Sequence, residues 1–201
     1  MALTIAGRDD QAMAATEGLV DTAEATRNPE VLSLALMADG FAWRNTDPDH
    51  ALEATRRGLG VAHESGNRFN ETHITANLAQ LEVEHGDPLS ALDHIGLAIR
   101  HFHDSGNIVT LRSPFANLAI LFDRLARHEP AATIAGFGFS PLTAASFPNI
   151  NTVIAHLRDV LGEATYESLA HKGETITTAT MVTYAYDQID QARIELNAVS
   201  E

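Results

Sequence analysis

The stretch HESGN at residues 63–67 returns as HDSGN at 103–107, and DPDHAL at 47–52 returns as DPLSAL at 87–92, both at an offset of 40 residues. Two independent matches at one offset mark a repeated structural unit, and an internal repeat constrains the fold more tightly than composition does. Each copy carries the same punctuation. Asp47-Pro48 and Asp87-Pro88 open a helix, with the acid as cap and proline in the first turn, where its missing N–H costs nothing. Gly66 and Gly106 supply the left-handed residue that stops that helix, and Asn67 and Asn107 cap the next one. The unit is therefore a helix, an Asp-Pro turn, a second helix and a Ser-Gly-Asn turn.

Apolar residues recur at helical spacing through most of the chain and β-rich runs are scarce, which gives an all-α class. A leading helix is predicted near 9–26, carrying Met13, Ala14, Leu19, Ala23 and Ala25, with Asp9 or Asp10 as its cap. Asn28 and Pro29 open the outer helix of the first full repeat. A degraded third copy begins at Asn107: Asn117-Leu118-Ala119 echoes Asn77-Leu78-Ala79, although Glu129-Pro130 stands two residues later than the offset predicts. Residues 1–138 thus read as a helical-repeat array of about three helix pairs plus a leading helix. The Phe-, Gly- and Pro-rich stretch at 136–149 contains a loop, placed at 139–149, that crosses the array. Residues 150–201 read as three terminal helices of the same domain that cap the stack. Small residues at Ala51, Ala91, Ala98, Ala131 and Ala132 would let helices approach closely, and stacked pairs bury a core that no single pair could bury alone. The expected architecture is an α-solenoid of antiparallel helix pairs.

Charge narrows the function. Thirteen Lys and Arg stand against 27 Asp and Glu, a formal net charge of −14, which opposes unaided binding to nucleic-acid phosphates or anionic lipid. Cysteine is absent, which removes disulfides, zinc ribbons and thiol nucleophiles and fits a reducing compartment. MALTIAGRDD has neither the basic start nor the apolar run of a secretory signal, and no 18 apolar residues run uninterrupted. The expectation is a cytoplasmic protein. Helix begins soon after Asp9 without the polar outer cap of a free-standing array, which reads as a segment of something longer.

The 40-residue period exceeds the 34 of tetratricopeptide repeats, and their Trp, Tyr and Pro positions are lacking, so the chain resembles the broader tetratricopeptide-like group. More closely, RNPEVLSLALMADGFAW with DPDHALEATRRGLGVAHESGN, then NLAILFDRLARHEPAATIAG and HLRDVLGEATYESLAHKGETITTATMVTYA, are similar to the C-terminal repeat region of actinobacterial AAA or STAND-type signalling ATPases, the group that carries LuxR-type or adenylate cyclase domains. The likeness spans roughly residues 9–190 and rests on packing and turn motifs. It implies a sensor or interaction arm that holds or releases an ATPase whose nucleotide site lies elsewhere. Asp39 and Trp43 depart from it, at positions where small or aliphatic residues are expected.

Catalytic motifs are wanting. GFGFS at 136–140 lacks the Lys of a phosphate loop, and Ser65, Ser105 and Ser113 have no nucleophile elbow. His101 and His103 diverge on a helix. Glu82 and His85 have di-iron spacing but no second copy of the motif. His63 and His103 sit in last turns, where imidazole complements the helix dipole. Arg56 and Arg57 decorate a solvated face. The chain is therefore read as noncatalytic, with no cofactor and no metal. Trp43, Arg44, Phe69, Asn77, Arg112 and Phe115 are the candidates for a concave groove suited to a peptide or small anionic ligand. The competing reading makes Trp43 and the phenylalanines packing residues. The expected partners are other domains of the same polypeptide, or a separate protein or peptide bound by a stand-alone scaffold. A hydrolase or metal-dependent enzyme built in the groove is the third reading, and oligomeric state stays open.

Overall fold

The computed structural model describes residues 2–147 and 149–199, so Met1, Pro148, Ser200 and Glu201, which the sequence reading assigns to the array, the crossing loop and the terminal helices, lie outside the described residues. Among the described residues every regular element is helical: α1 Ala2–Ile5, α2 Asp9–Thr16, α3 Leu19–Ala25, α4 Pro29–Trp43, α5 Pro48–Glu64, α6 Arg68–His85, α7 Pro88–Asp104, α8 Ile108–Arg124, α9 His128–Gly138, α10 Pro141–Ser146, α11 Asn149–Leu161, α12 Glu163–Thr175 and α13 Thr178–Val199. None is long and apolar enough to cross a membrane. The chain divides into two compact units, 1–87 and 88–201, a division that falls inside the second Asp-Pro turn and not after residue 138.

Four caps and two glycine turns of the repeat punctuation are present atom by atom. Asn28, Asp47, Asn67 and Asn107 each accept a backbone N–H of the first turn through Oδ1, at 2.9, 3.1, 3.1 and 3.2 Å. Gly66 and Gly106 have φ of 69° and 70°. Around them the amides of Asn67 and Asn107 reach back to the carbonyls of Ala62 and Phe102, and those of Gly66 and Gly106 to His63 and His103, the paired bonds that close a Schellman turn. The third copy is less degraded than its sequence looks: second helices start at residues 48, 88 and 128, so the period holds while only the proline has slipped to 130. Its turn also closes in Schellman fashion, Arg127 N–H to the Phe122 carbonyl and Ala126 N–H to the Asp123 carbonyl.

Ala126 takes the glycine role there at φ 56°. A Cβ in that region costs on the order of 1–2 kcal/mol, while glycine costs roughly 0.5–1 kcal/mol of extra unfolded-state entropy. The balance favours glycine at this exposed position. Ala126→Gly is expected to raise the urea midpoint, by about 0.5–1 kcal/mol of stability at unchanged m-value; a lowered midpoint would contradict the left-handed turn.

Two sequence expectations are corrected. The leading helix near 9–26 is split into α2 and α3, because Gly18 adopts φ 68°; neither Asp9 nor Asp10 caps it, since Arg8 holds the N-cap position and makes no side-chain cap bond. The crossing loop is largely helical. Residues 136–138 finish α9, and α10 starts at Pro141 with Ser140 and Thr143 forming a reciprocal capping box. Ser-Pro is a helix-start signal as much as a loop signal, and among Gly and Phe neighbours it reads as the latter.

In the first unit, α4 packs on α5, α5 on α6, and α2 and α3 lie against α4. Ala51, Leu52, Leu78 and Leu81 form a buried cluster with Trp43 and Leu59 packed against it. In the second unit α8 and α9 pair, α12 lies along α9, α11 touches both α8 and α9, and α13 packs on α7. Phe102, Phe115 and Phe122 are its largest fully buried side chains. Met181, Ala185, Ile189 and Ala192 supply a buried stripe on α13, the 4, 4, 3 spacing of one helix face. The five small residues expected at helix contacts, Ala51, Ala91, Ala98, Ala131 and Ala132, are all fully buried.

Candidate functional site

Asp39 and Trp43, which depart from the family likeness, stand where the first unit opens a cavity. Asp39 on α4 has only 9% of its surface exposed, a costly place for a carboxylate without a partner. The partner comes from the next helix: His50, one turn into α5, brings Nε2 to 2.7 Å from Asp39 Oδ2. Trp43, four residues after Asp39 and hence on the same face of α4, meets the His50 ring edge-on at 5.2 Å between centroids. The Asp47 cap fixes the start of α5, and with it the His50 backbone, whose N–H donates to Asp47 Oδ1.

The cavity over this trio has a volume of about 470 Å³. Its opposite wall is the α2–α3 elbow, with Met13, Glu17, Val20 and Asp21 lining it. Gly18 makes that wall concave, since without the break the two short helices would run as one rod. The lining therefore combines three carboxylates (Glu17, Asp21, Asp39) with the indole of Trp43 and the apolar side chains of Met13, Ala14 and Val20, and among the described residues it holds neither Lys nor Arg. Its local field is negative. A cationic group entering there would gain from the carboxylates.

The remaining candidate residues are dispersed by the fold. Arg44 is buried, forms an ion pair with Glu84 and lies over the Phe41 ring at 5.2 Å; its charge is used internally. Phe69 is 68% exposed and stacks on His73 at 4.3 Å. Asn77 is half-buried on α6. In the second unit Phe115 is fully buried and packs edge-on against Phe137, so it serves the core and lines no surface. Arg112 donates to the Phe137 carbonyl at 2.7 Å and lines a second cavity, of about 440 Å³, together with Arg158, Tyr166, Glu167 and His171. Arg158 lies over the Tyr166 ring at 4.7 Å and is paired with Glu163 and Glu167. Burial pushes the Tyr166 hydroxyl above its ordinary range, against the opposing pull of Arg158, so it remains a neutral phenol.

The Asp39–His50 contact escapes sequence reading because the two residues lie on different helices, and nothing in the spacing of 11 pairs them. The legible signal is Asp39 itself, an acid on the apolar face of α4. Comparison with known proteins gives no protein-family model that matches the chain, and no curated protein or solved structure matches it either.

Proposed function

We propose that the chain is a noncatalytic, tetratricopeptide-like helical-repeat module that binds a basic, partly apolar protein segment in the cavity around Trp43. The observation that carries this reading is the lining of that cavity, three carboxylates together with Trp43, Met13 and Val20. A Lys or Arg side chain fits such a lining twice over, through its charge and through its aliphatic stem. The periodic helix starts at 48, 88 and 128 support the repeat assignment. In the signalling-ATPase repeat regions that the sequence resembles, such an arm holds or releases its ATPase. On that analogy the bound segment belongs to a neighbouring domain of the same polypeptide, and binding is regulatory.

Trp43 is the single tryptophan, so its fluorescence reads this cavity alone. Acetylated, amidated hexapeptides that alternate Leu with Lys or Arg should shift Trp43 emission saturably, whereas the same peptides with Glu for Lys should not. Affinity should fall with added salt, and the exposed-residue variants Glu17→Gln and Asp21→Asn should each weaken it by about threefold to tenfold. A flat titration with the basic set, or an equal response to the acidic set, would end this reading.

A further inference from the structure

We propose that Asp123, His128 and His156 form a binding site for a divalent transition-metal ion of the zinc class in the second unit. The three donors come from three elements. Asp123 stands in the last turn of α8, His128 is the first residue of α9, and His156 sits midway along α11. One ligand atom from each lies within 4.8 Å of the other two. His156 Nδ1 is 2.9 and 3.0 Å from the two Asp123 oxygens, and the His128 and His156 rings meet edge to face at 5.6 Å. In a tetrahedral site with bonds of about 2.0–2.1 Å the ligand atoms stand roughly 3.3 Å apart, so modest side-chain rotations complete the set. Two imidazoles and a carboxylate with one position left to water is a donor set that zinc accepts.

The place of these residues in the repeat separates the site from a chance ion pair. At successive offsets of 40 from Asp123 the chain carries Val83 and Trp43, and from His128 it carries Pro88 and Pro48. Val83 is 1% exposed. A position used for apolar packing elsewhere holds a carboxylate here, and the helix-opening proline is replaced by imidazole, both only in the copy that α11 covers. Departures from a chain's own local rule concentrate where function overrides packing. The Asp123 side chain is 11% exposed and that of His156 50%, which leaves a pre-placed carboxylate with an open approach for the ion. The bound ion would tie α11 to the α8–α9 turn. The histidine spacings alone do not show this, because the donors are brought together by the packing of α11.

The test uses the whole, tag-free chain after chelator treatment and dialysis. Calorimetric titration with Zn²⁺ should show one ion per chain, and Co²⁺ should give the intense visible bands of tetrahedral coordination. At a hundredfold excess over Kd, Zn²⁺ should raise the thermal midpoint by about 5 °C or more. His128→Gln and His156→Gln should each weaken binding by about tenfold or more with the helical signal unchanged, while His171→Gln, at an exposed histidine elsewhere, should leave it intact. Absence of saturable Zn²⁺ binding, or binding indifferent to His128→Gln and His156→Gln, overturns the proposal.

Discussion

Gly173→Ala is expected to destabilise the second unit by about 3 kcal/mol or more, beyond the usual range for overpacking. The reason is a close backbone crossing of α9 and α12. A Cβ built on Gly173 would stand far inside van der Waals contact with the Thr133 carbonyl oxygen, and one on Gly136 would collide in the same way with the Ala170 carbonyl oxygen. The two contacts are reciprocal: Thr133 and Gly136 are three apart on α9, Ala170 and Gly173 three apart on α12. Both obstacles are backbone, so no rotamer change can relieve them, and the helices must separate. Separation would loosen the packing of two helices on which Ala132, Ala135 and Tyr166 are buried. Gly60→Ala supplies the opposite sign from the same chemical change. Gly60 lies on the exposed side of α5 with nothing within 4 Å of its Cβ direction, so alanine there should add about 0.5–1 kcal/mol through helix propensity. Urea unfolding of the two variants beside the parent decides the matter. A Gly173→Ala loss under about 1 kcal/mol would mean that α9 and α12 do not cross as described.

That crossing also shows where sequence reading stops. The repeat, its caps and its left-handed glycines are encoded locally, in spacings of a few residues, and Asn28, Asp47, Asn67, Asn107, Gly66 and Gly106 could all be assigned without a partner helix. Gly136 looks like turn material beside Phe137 and Gly138, because its purpose depends on a helix about 35 residues downstream. The site residues divide along the same line. Trp43 is legible as an aromatic where a small or aliphatic residue is expected, whereas His50, Glu17 and Asp21 are not, since only the packing of α5 on α4 brings in the first and only the α2–α3 elbow brings in the other two. Phe115 and Arg44 were misplaced for one reason: an apolar or charged residue on a helix face does not reveal whether solvent or another helix covers it. The His128 and His156 pairing was invisible because its donors share no helix.

Arg44 shows how burial changes the value of a charge. At the surface an ion pair contributes about 0–1 kcal/mol, and with Arg44 set in a ligand groove its replacement would leave stability almost untouched. The structure places its side chain at 10% exposure and that of its partner Glu84 at 18%. Gln80, with its amide oxygen turned toward the guanidinium, accepts at 2.8 and 3.2 Å. Arg44 and Glu84 are themselves 40 residues apart, so the pair joins the end of α4 to the matching end of α6, one repeat on. Removing the cation leaves the largely desolvated Glu84 carboxylate with the His85 ring, 3.9 Å away, in place of a guanidinium, and that weaker compensation, more than the lost attraction, sets the penalty. Arg44→Ala is expected to cost about 3 kcal/mol, with part of it from the stem that packs over Phe41. Arg44→Met with Glu84→Met should recover most of the loss, since neither charge then has to be desolvated. A double-mutant cycle measured by urea unfolding would read this as a coupling of about 2 kcal/mol. If Arg44→Ala cost under about 1 kcal/mol and the cycle showed no coupling, Arg44 would behave as a solvated charge, and a groove role for it would become the better account.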